Sequence, residues 1–276
     1  MPKNAKKGKK GAKAEKRRAK GICSQKKDKK QEKNGKKTPR GLKTMARIDK
    51  GALTRLEIVT EATKQFLEKG YSNTTVSAIA KVLEMSAGNL TFHYPTKEHL
   101  LTELVDILCA FNWKQMEKEA NDGISSIMAI CLELTAMAGA CEDDEVIKDF
   151  FLSAYSNPMS LAVIRKNDAE RAKDVFKDYR PSWTDEQYLE AEILVSGIEY
   201  ATLMTTGEQI PLETRIKGAL HNILGIYGIP EDIRNAKIQK VFSMDYRNIG
   251  KRALIDFKKH VEETNNRAFH DILKIK

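Results

Sequence analysis

The chain has 276 residues, 41% of them hydrophobic, and a formal net charge of +10, which is enough for one or two domains with a sizeable core. The charge is unevenly held: residues 1–50 carry 21 Lys and Arg against four Asp and Glu (+17), and the rest carries 27 against 34 (−7). The folded part is therefore acidic and the tail alone makes the chain basic, so the net charge misleads as a description of the whole.

Residues 1–46, from MPKNAKKGKKGAKAEKRRAKG through KNGKKTPRG, hold too few apolar residues to bury a core and are expected to be disordered. Two readings of this tail stand side by side. It resembles lysine-rich arms that hold nucleic acid without sequence preference through counterion release. Equally, Met45 begins MARIDKGALTRLEIV, and the tail is then an upstream extension of the reading frame. The N-terminus lacks the apolar segment of a secretory signal.

The spacing of Leu56, Ile58, Val59, Ala62, Phe66 and Leu67 predicts an amphipathic helix over 54–69. Gly70 closes it as a residue free to turn left-handed, and Tyr71 follows. Two short helices come next, over 75–82 and 86–94, with Ile79, Ala80, Leu83 and Leu90 turned inward. Ser86 is the N-cap of the second, and Pro95 ends it because proline cannot continue the ladder. Ala80 is small where the two helices cross, and Met85 and Leu90 fill the angle between them. Such a pair is a helix-turn-helix, which pushes its second helix into the major groove of DNA.

Together, FLEKGYSNTTVSAIA and MSAGNLTFHYPTKEHLL resemble the N-terminal DNA-binding domain of the tetracycline-repressor (TetR) family, over residues 54–102. Two positions depart from the family pattern. Glu84 stands where the family has glycine, at a turn position that favours φ > 0, and costs roughly 1 kcal/mol or a different turn there. Thr91 stands where the family has tyrosine, so any contact made from this shorter side chain differs.

From residue 96 onward the periodicity stays helical. Helices are predicted over 96–119, 124–140, 143–155, 159–178, 184–206, 212–227 and 246–271, with no sustained β alternation. The run Ile124–Cys141 is interrupted by Ser125, Ser126 and Glu133, which marks a buried helix and not a membrane span. The fold class is all-α, divided into the tail (1–46), a three-helix DNA-binding domain (47–95) and a helical effector-binding and dimerisation domain (96–276). The resemblance implies that 184–206 and 212–227, bearing Leu189, Ile193, Leu194, Ile198, Leu203, Ile216, Leu220, Ile223 and Tyr227, pair with their copies in a homodimer.

The resemblance also implies the DNA contacts. Ala87, Gly88, Asn89, Thr91, Phe92 and His93 lie on the reading face, where Asn89 suits the N6/N7 edge of adenine. Ser77 reaches an adjacent base, and Thr75, His93 and Lys97 grip phosphates, joined by Arg47, Lys50 and Arg55. Each has a plainer alternative: Thr75 as a helix cap, Phe92 as core, His93 as a structural imidazole, Lys97 as a solvated lysine. Phe111, Met116, Met128, Met137, Phe150 and Tyr155 are candidates to line an effector pocket, against a plain role as core.

No cofactor or metal is expected. Cys23, Cys109, Cys131 and Cys141 show no C-x-x-C pair, which fits small buried hydrophobes in a reducing compartment. The five histidines are scattered, and no phosphate loop or nucleophile motif argues for an enzyme. The expected function is a cytoplasmic, ligand-responsive, homodimeric repressor that binds a near-palindromic operator and associates with the nucleoid. The alternative is a non-specific nucleic-acid binder acting through the tail.

Overall fold

The computed structural model describes residues 50–120, 126–205 and 210–274. Among them are eleven α-helices and no strand. The lysine-rich tail, Cys23, Arg47, residues 121–125 and residues 206–209 lie outside the described residues.

Three helices form the head. Helix α1 (Lys50–Lys69) buries Ile58, Val59, Ala62 and Phe66, the spacing that makes one apolar stripe. Gly70 then takes φ +89°. A side chain here would be strained, and its Cβ would meet the Asp149 carboxylate at 2.7 Å. Helix α2 (Val76–Val82) begins at Thr75, whose Oγ1 accepts from Ala78 N at 3.1 Å. Helix α3 (Ala87–His93) begins at Ser86, which accepts from Asn89 N at 3.1 Å. Between them Glu84 adopts φ +53°, so the turn keeps its left-handed residue without glycine. Leu90 and Tyr94 anchor α3 inward.

The body is built on α5 (Ser126–Asp143), with thirteen of its eighteen residues buried; a helix apolar on all sides belongs at the centre of a bundle. Around it lie α4 (Lys97–Ala120), α6 (Glu145–Ser156), α7 (Pro158–Phe176), α8 (Asp185–Met204), α9 (Leu212–Ile226), α10 (Glu231–Phe242) and α11 (Tyr246–Lys274). Asn157 caps α7 ahead of Pro158, and Thr184 with Gln187 forms a capping box on α8. Helix α11 crosses α5 so closely that a Cβ on Gly250 would stand 2.5 Å from the Ala136 carbonyl oxygen.

Helix α10 falls in a stretch where no helix was expected. It buries only Ile238 and Val241, too few apolar positions to set a periodicity. Elsewhere the predicted helices hold to within a few residues at their ends.

Besides the start of α4, the head is fastened to the body from α6 and α11. Asp149 on α6 accepts from Ser72 N at 2.8 Å and from the Ser72 hydroxyl. Asn265 on α11 donates to Leu56 O at 3.0 Å and to Thr60 Oγ1, and Lys258 pairs with Glu68.

The residues expected at a dimer face divide. Leu203, Ile216, Leu220, Ile223 and Tyr227 are buried within the chain and Ile198 is half-buried, whereas Leu189, Ile193 and Leu194 are exposed together with Met204. Gly197 lies between them with open space at its Cβ position.

Candidate functional site

Two places in the structure gather chemistry. The first is the outer face of the head. Ala87, Gly88 and Asn89 are exposed at the start of α3, Thr91 and His93 are half-buried, and Thr75 and Ser77 are exposed beside them on α2. Phe92 is 83% exposed, which removes the alternative that it packs in the core. Its ring meets His93 edge-on, with centroids 5.3 Å apart. Thr91 Oγ1 donates to Gly88 O at 3.1 Å.

The polar groups that hold this face are locally satisfied. Buried Thr74 donates to Gly70 O at 2.8 Å. Lys97 donates to Tyr71 O at 2.9 Å and Thr74 O at 3.0 Å, and its Nζ lies 4.0 Å from the centre of the Tyr71 ring. Lys97 is thus no ordinary solvated lysine: two of its three N–H groups fix the segment that leads into α2. Thr75 does serve as a helix cap. Lys50 is exposed at the start of α1, and Arg55 lies over the Tyr94 ring at 5.0 Å.

The second place is a cavity of about 70 Å3 inside the body. On this scale one water needs roughly 10–15 Å3, so there is room for a compact organic group. Of the six expected lining residues, Met137 and Tyr155 line it. The other four do not. Phe111 packs between Phe257 and His260, and Met116, Met128 and Phe150 are buried in the core. Their helical spacing reported packing.

The sequence reading missed the cavity's polar wall, made of Asn112, Glu133, Asp168, Arg171, Glu192, Glu199 and Tyr227. Arg171 is held between two carboxylates, Glu133 at 2.8 Å and Asp168, with Trp113 against its guanidinium at 4.9 Å. Glu192 and Glu199 have only phenols: Tyr227 donates to Glu192 Oε1, and Tyr155 donates to Glu199 Oε2 at 2.9 Å. Glu192 is 2% exposed, and its Oε2 is buried without a hydrogen-bond partner.

Burial, reinforced by the Asp168 charge, pushes the Glu192 carboxyl up to about 8. The same two causes, with Glu192 added, raise Glu199 well above the carboxylate range. Burial also raises Glu133, although Arg171 pulls the other way. One sequence signal did point here. Glu192 and Glu199 are seven residues apart, two helical turns, so both fall on the inward stripe of α8 with Tyr188 and Val195. The three described cysteines give no reactive site. Burial raises all three thiols, Cys131 and Cys141 to about 12.

Residues 58–104 match the family model described as bacterial regulatory proteins, tetR family. The HTH-type transcriptional regulator QacR of Staphylococcus aureus is 38% identical over 63 residues, which is 23% of this chain and 34% of that protein; the match thus spans about a third of that relative's length. Among solved structures, a SmeT–triclosan complex aligns with a TM-score of 0.42 and 16% identity, covering 62% of this chain and 90% of that one. TylP, a tetR regulator from Streptomyces fradiae, gives 0.42 and 16%, covering 76% and 99%. CprB from Streptomyces coelicolor, with its operator sequence, gives 0.39 and 20%, covering 70% and 96%.

Proposed function

We infer, from the match of residues 58–104 to the tetR family of bacterial regulatory proteins, a sequence-specific DNA-binding regulator that acts as a ligand-responsive homodimeric repressor. The observation that carries this reading is the reading face itself. Helix α3 is capped at Ser86, anchored inward by Leu90 and presented outward through Asn89 and Phe92, which suits a helix entering the major groove.

In this reading residues 47–95 bind DNA, while 96–276 bind the effector and dimerise. Asn89, Thr91 and Ser77 read bases, and Thr75, His93 and Lys50 meet phosphates with Arg47. Phe92 adds apolar contact in the groove, and Ala87 and Gly88 let the backbone approach. Lys97 sets the entry to α2 and adds its charge. The exposed Leu189, Ile193, Leu194 and Met204 on α8 support a dimer built on α8 and α9. The two recognition helices then sit in successive major grooves, roughly 34 Å apart, on a near-palindromic operator. A small molecule in the body cavity shifts the population between DNA-competent and incompetent separations of the heads.

No described helix is long and apolar enough to cross a membrane, and the reading places the protein in the cytoplasm, on the nucleoid when DNA-bound. No enzymatic role is proposed. The charge of +17 in residues 1–50 favours a second reading, non-specific nucleic-acid binding through the tail.

Selection of genomic fragments at near-physiological salt, with protein starting at Met45 beside the full chain, separates the two. A short inverted repeat enriched by the shorter protein is the expected result. Retention by the full chain alone, without a shared motif, overturns it.

A further inference from the structure

The lining of the body cavity is charge-imbalanced: Glu133, Asp168, Glu192 and Glu199 face one guanidinium, Arg171. That guanidinium is already engaged by Glu133 and Asp168, so it offers little to a ligand. Glu192 and Glu199 form no ion pair among the described residues, although the Arg171 and Arg165 charges reach Glu192 from α7. Arg165, one turn before Asp168 on α7, is turned to Ser196 at 2.9 Å. The Oε2 atom of Glu192 is an acceptor with no donor, in a side chain almost wholly buried, and such an atom is costly unless a donor arrives.

The remaining wall is apolar and aromatic. Phe176 stacks on Tyr227 with centroids 4.1 Å apart and planes 8° from parallel, and Val105, Leu108, Phe151 and Val195 complete it. Aromatic faces attract cations. Among the described residues no three His, Cys, Asp or Glu side chains stand close enough to hold a metal ion, so the missing partner is not a metal. A carboxylate ligand would set a further negative charge beside Asp168, and a neutral one would give Glu192 no charge to ionise against, whereas an ammonium supplies both donor and charge.

We propose that the cavity takes an organic cation, a compact amine on an apolar or aromatic body, with its ammonium donating to Glu192 Oε2 and to Glu199. The proposal rests on the reading of this cavity as the effector site, and names the ligand's class. In the empty protein Glu192, facing Asp168, Arg171 and Arg165 on α7, Glu133 on α5, Tyr155 on α6 and Tyr227 after α9, holds its proton near neutrality, and burial shifts Glu199 in the same direction. Arrival of an ammonium expels a proton from Glu192, forming N–H···O− in its place. Affinity for an amine therefore rises with pH through about 8, where the free carboxyl ionises by itself.

The test is calorimetric titration of the full chain, free of DNA, with phenethylamine, phenethyl alcohol and phenylacetate, three probes of one size and three charges. The expected result is amine binding about tenfold or more tighter than alcohol, with phenylacetate weakest. Buffers of different ionisation heat should report proton release below about pH 8. Glu192→Gln, which keeps the shape of the protonated acid, should weaken the amine by about tenfold and leave the alcohol unchanged. Equal or tighter binding of alcohol or phenylacetate, no detectable amine binding, or wild-type amine affinity in both Glu192→Gln and Glu199→Gln overturns the proposal. An operator found without amine preference sinks only the ligand class; amine binding without an operator sinks only the repressor reading.

Discussion

In the head, polar side chains meet the backbone nearby: Ser86 caps α3, Thr75 caps α2, Thr74 reaches Gly70 O, and Lys97 spans Tyr71 O and Thr74 O. In the body, Glu133, Glu192 and Glu199 depend on partners from outside their own helices, and Glu192 has an oxygen with none. Local satisfaction makes a surface whose shape does not wait on a partner. Long-range, incomplete satisfaction makes an interior whose charge state is open to change. The proposed regulator would use both, the one to present a fixed shape and the other to respond.

The largest test of this contrast is Arg171→Met, which leaves Glu133 and Asp168 buried without their cation. A loss of about 3–5 kcal/mol in urea unfolding is expected at neutral pH, with partial recovery in mild acid as Glu133, whose carboxyl burial already raises, takes up a proton. A loss that is the same at both pH values would mean the cost is packing alone.

Glu192→Gln is expected to act in the opposite direction. The folded-state pKa of about 8 lies above the ordinary 4.5, so the folded protein binds more protons than the unfolded chain between those values. Stability from this group falls as pH rises from about 4.5 to about 8. The glutamine variant should be the more stable by a few kcal/mol at most near pH 7, with the gap closing near pH 4; thermal melts across pH would read it.

On the head, Asn89→Ala should cost about 1–3 kcal/mol of discrimination between a selected operator and random DNA. Lys97→Ala should weaken both DNAs alike and also loosen amide protection over 71–75. Equal losses on both DNAs for the two variants would defeat that division. The smallest effect expected is from Glu84→Gly, which relieves a left-handed glutamate at φ +53°. It should raise head stability by up to about 1 kcal/mol without changing DNA preference.

Legibility follows the same divide. The head could be read in advance because its determinants are local: Gly70, the left-handed Glu84, the Ser86 cap and Pro95 each act within a few residues. The cavity could not, because its polar wall is assembled from α4 through α8 and Tyr227 beyond α9, and no spacing announces which inward residues from different helices will meet. Aromatic and methionine residues guided the search there, yet Phe111, Met128 and Phe150 turned out to be packing. Phe92 shows the reverse: its place on the reading face holds, and only the plainer alternative of burial falls, since the fold leaves it outside. Helix α10 escaped notice because two buried residues set no period.

The anchorage of α1 by α11 has a consequence for how the molecule is made. Asn265 lies 209 residues beyond the Leu56 carbonyl it holds. On a ribosome moving at about 5–20 residues per second, the head therefore waits roughly 10–40 s for its last strut. The nascent chain exposes a helix-turn-helix long before the helix that fixes its angle to the body has emerged. The hold of α11 on the head is thus added at the end of synthesis, and a chain cut short before Lys258 would keep the tie from Asp149 to Ser72 but lose the one from α11 to α1.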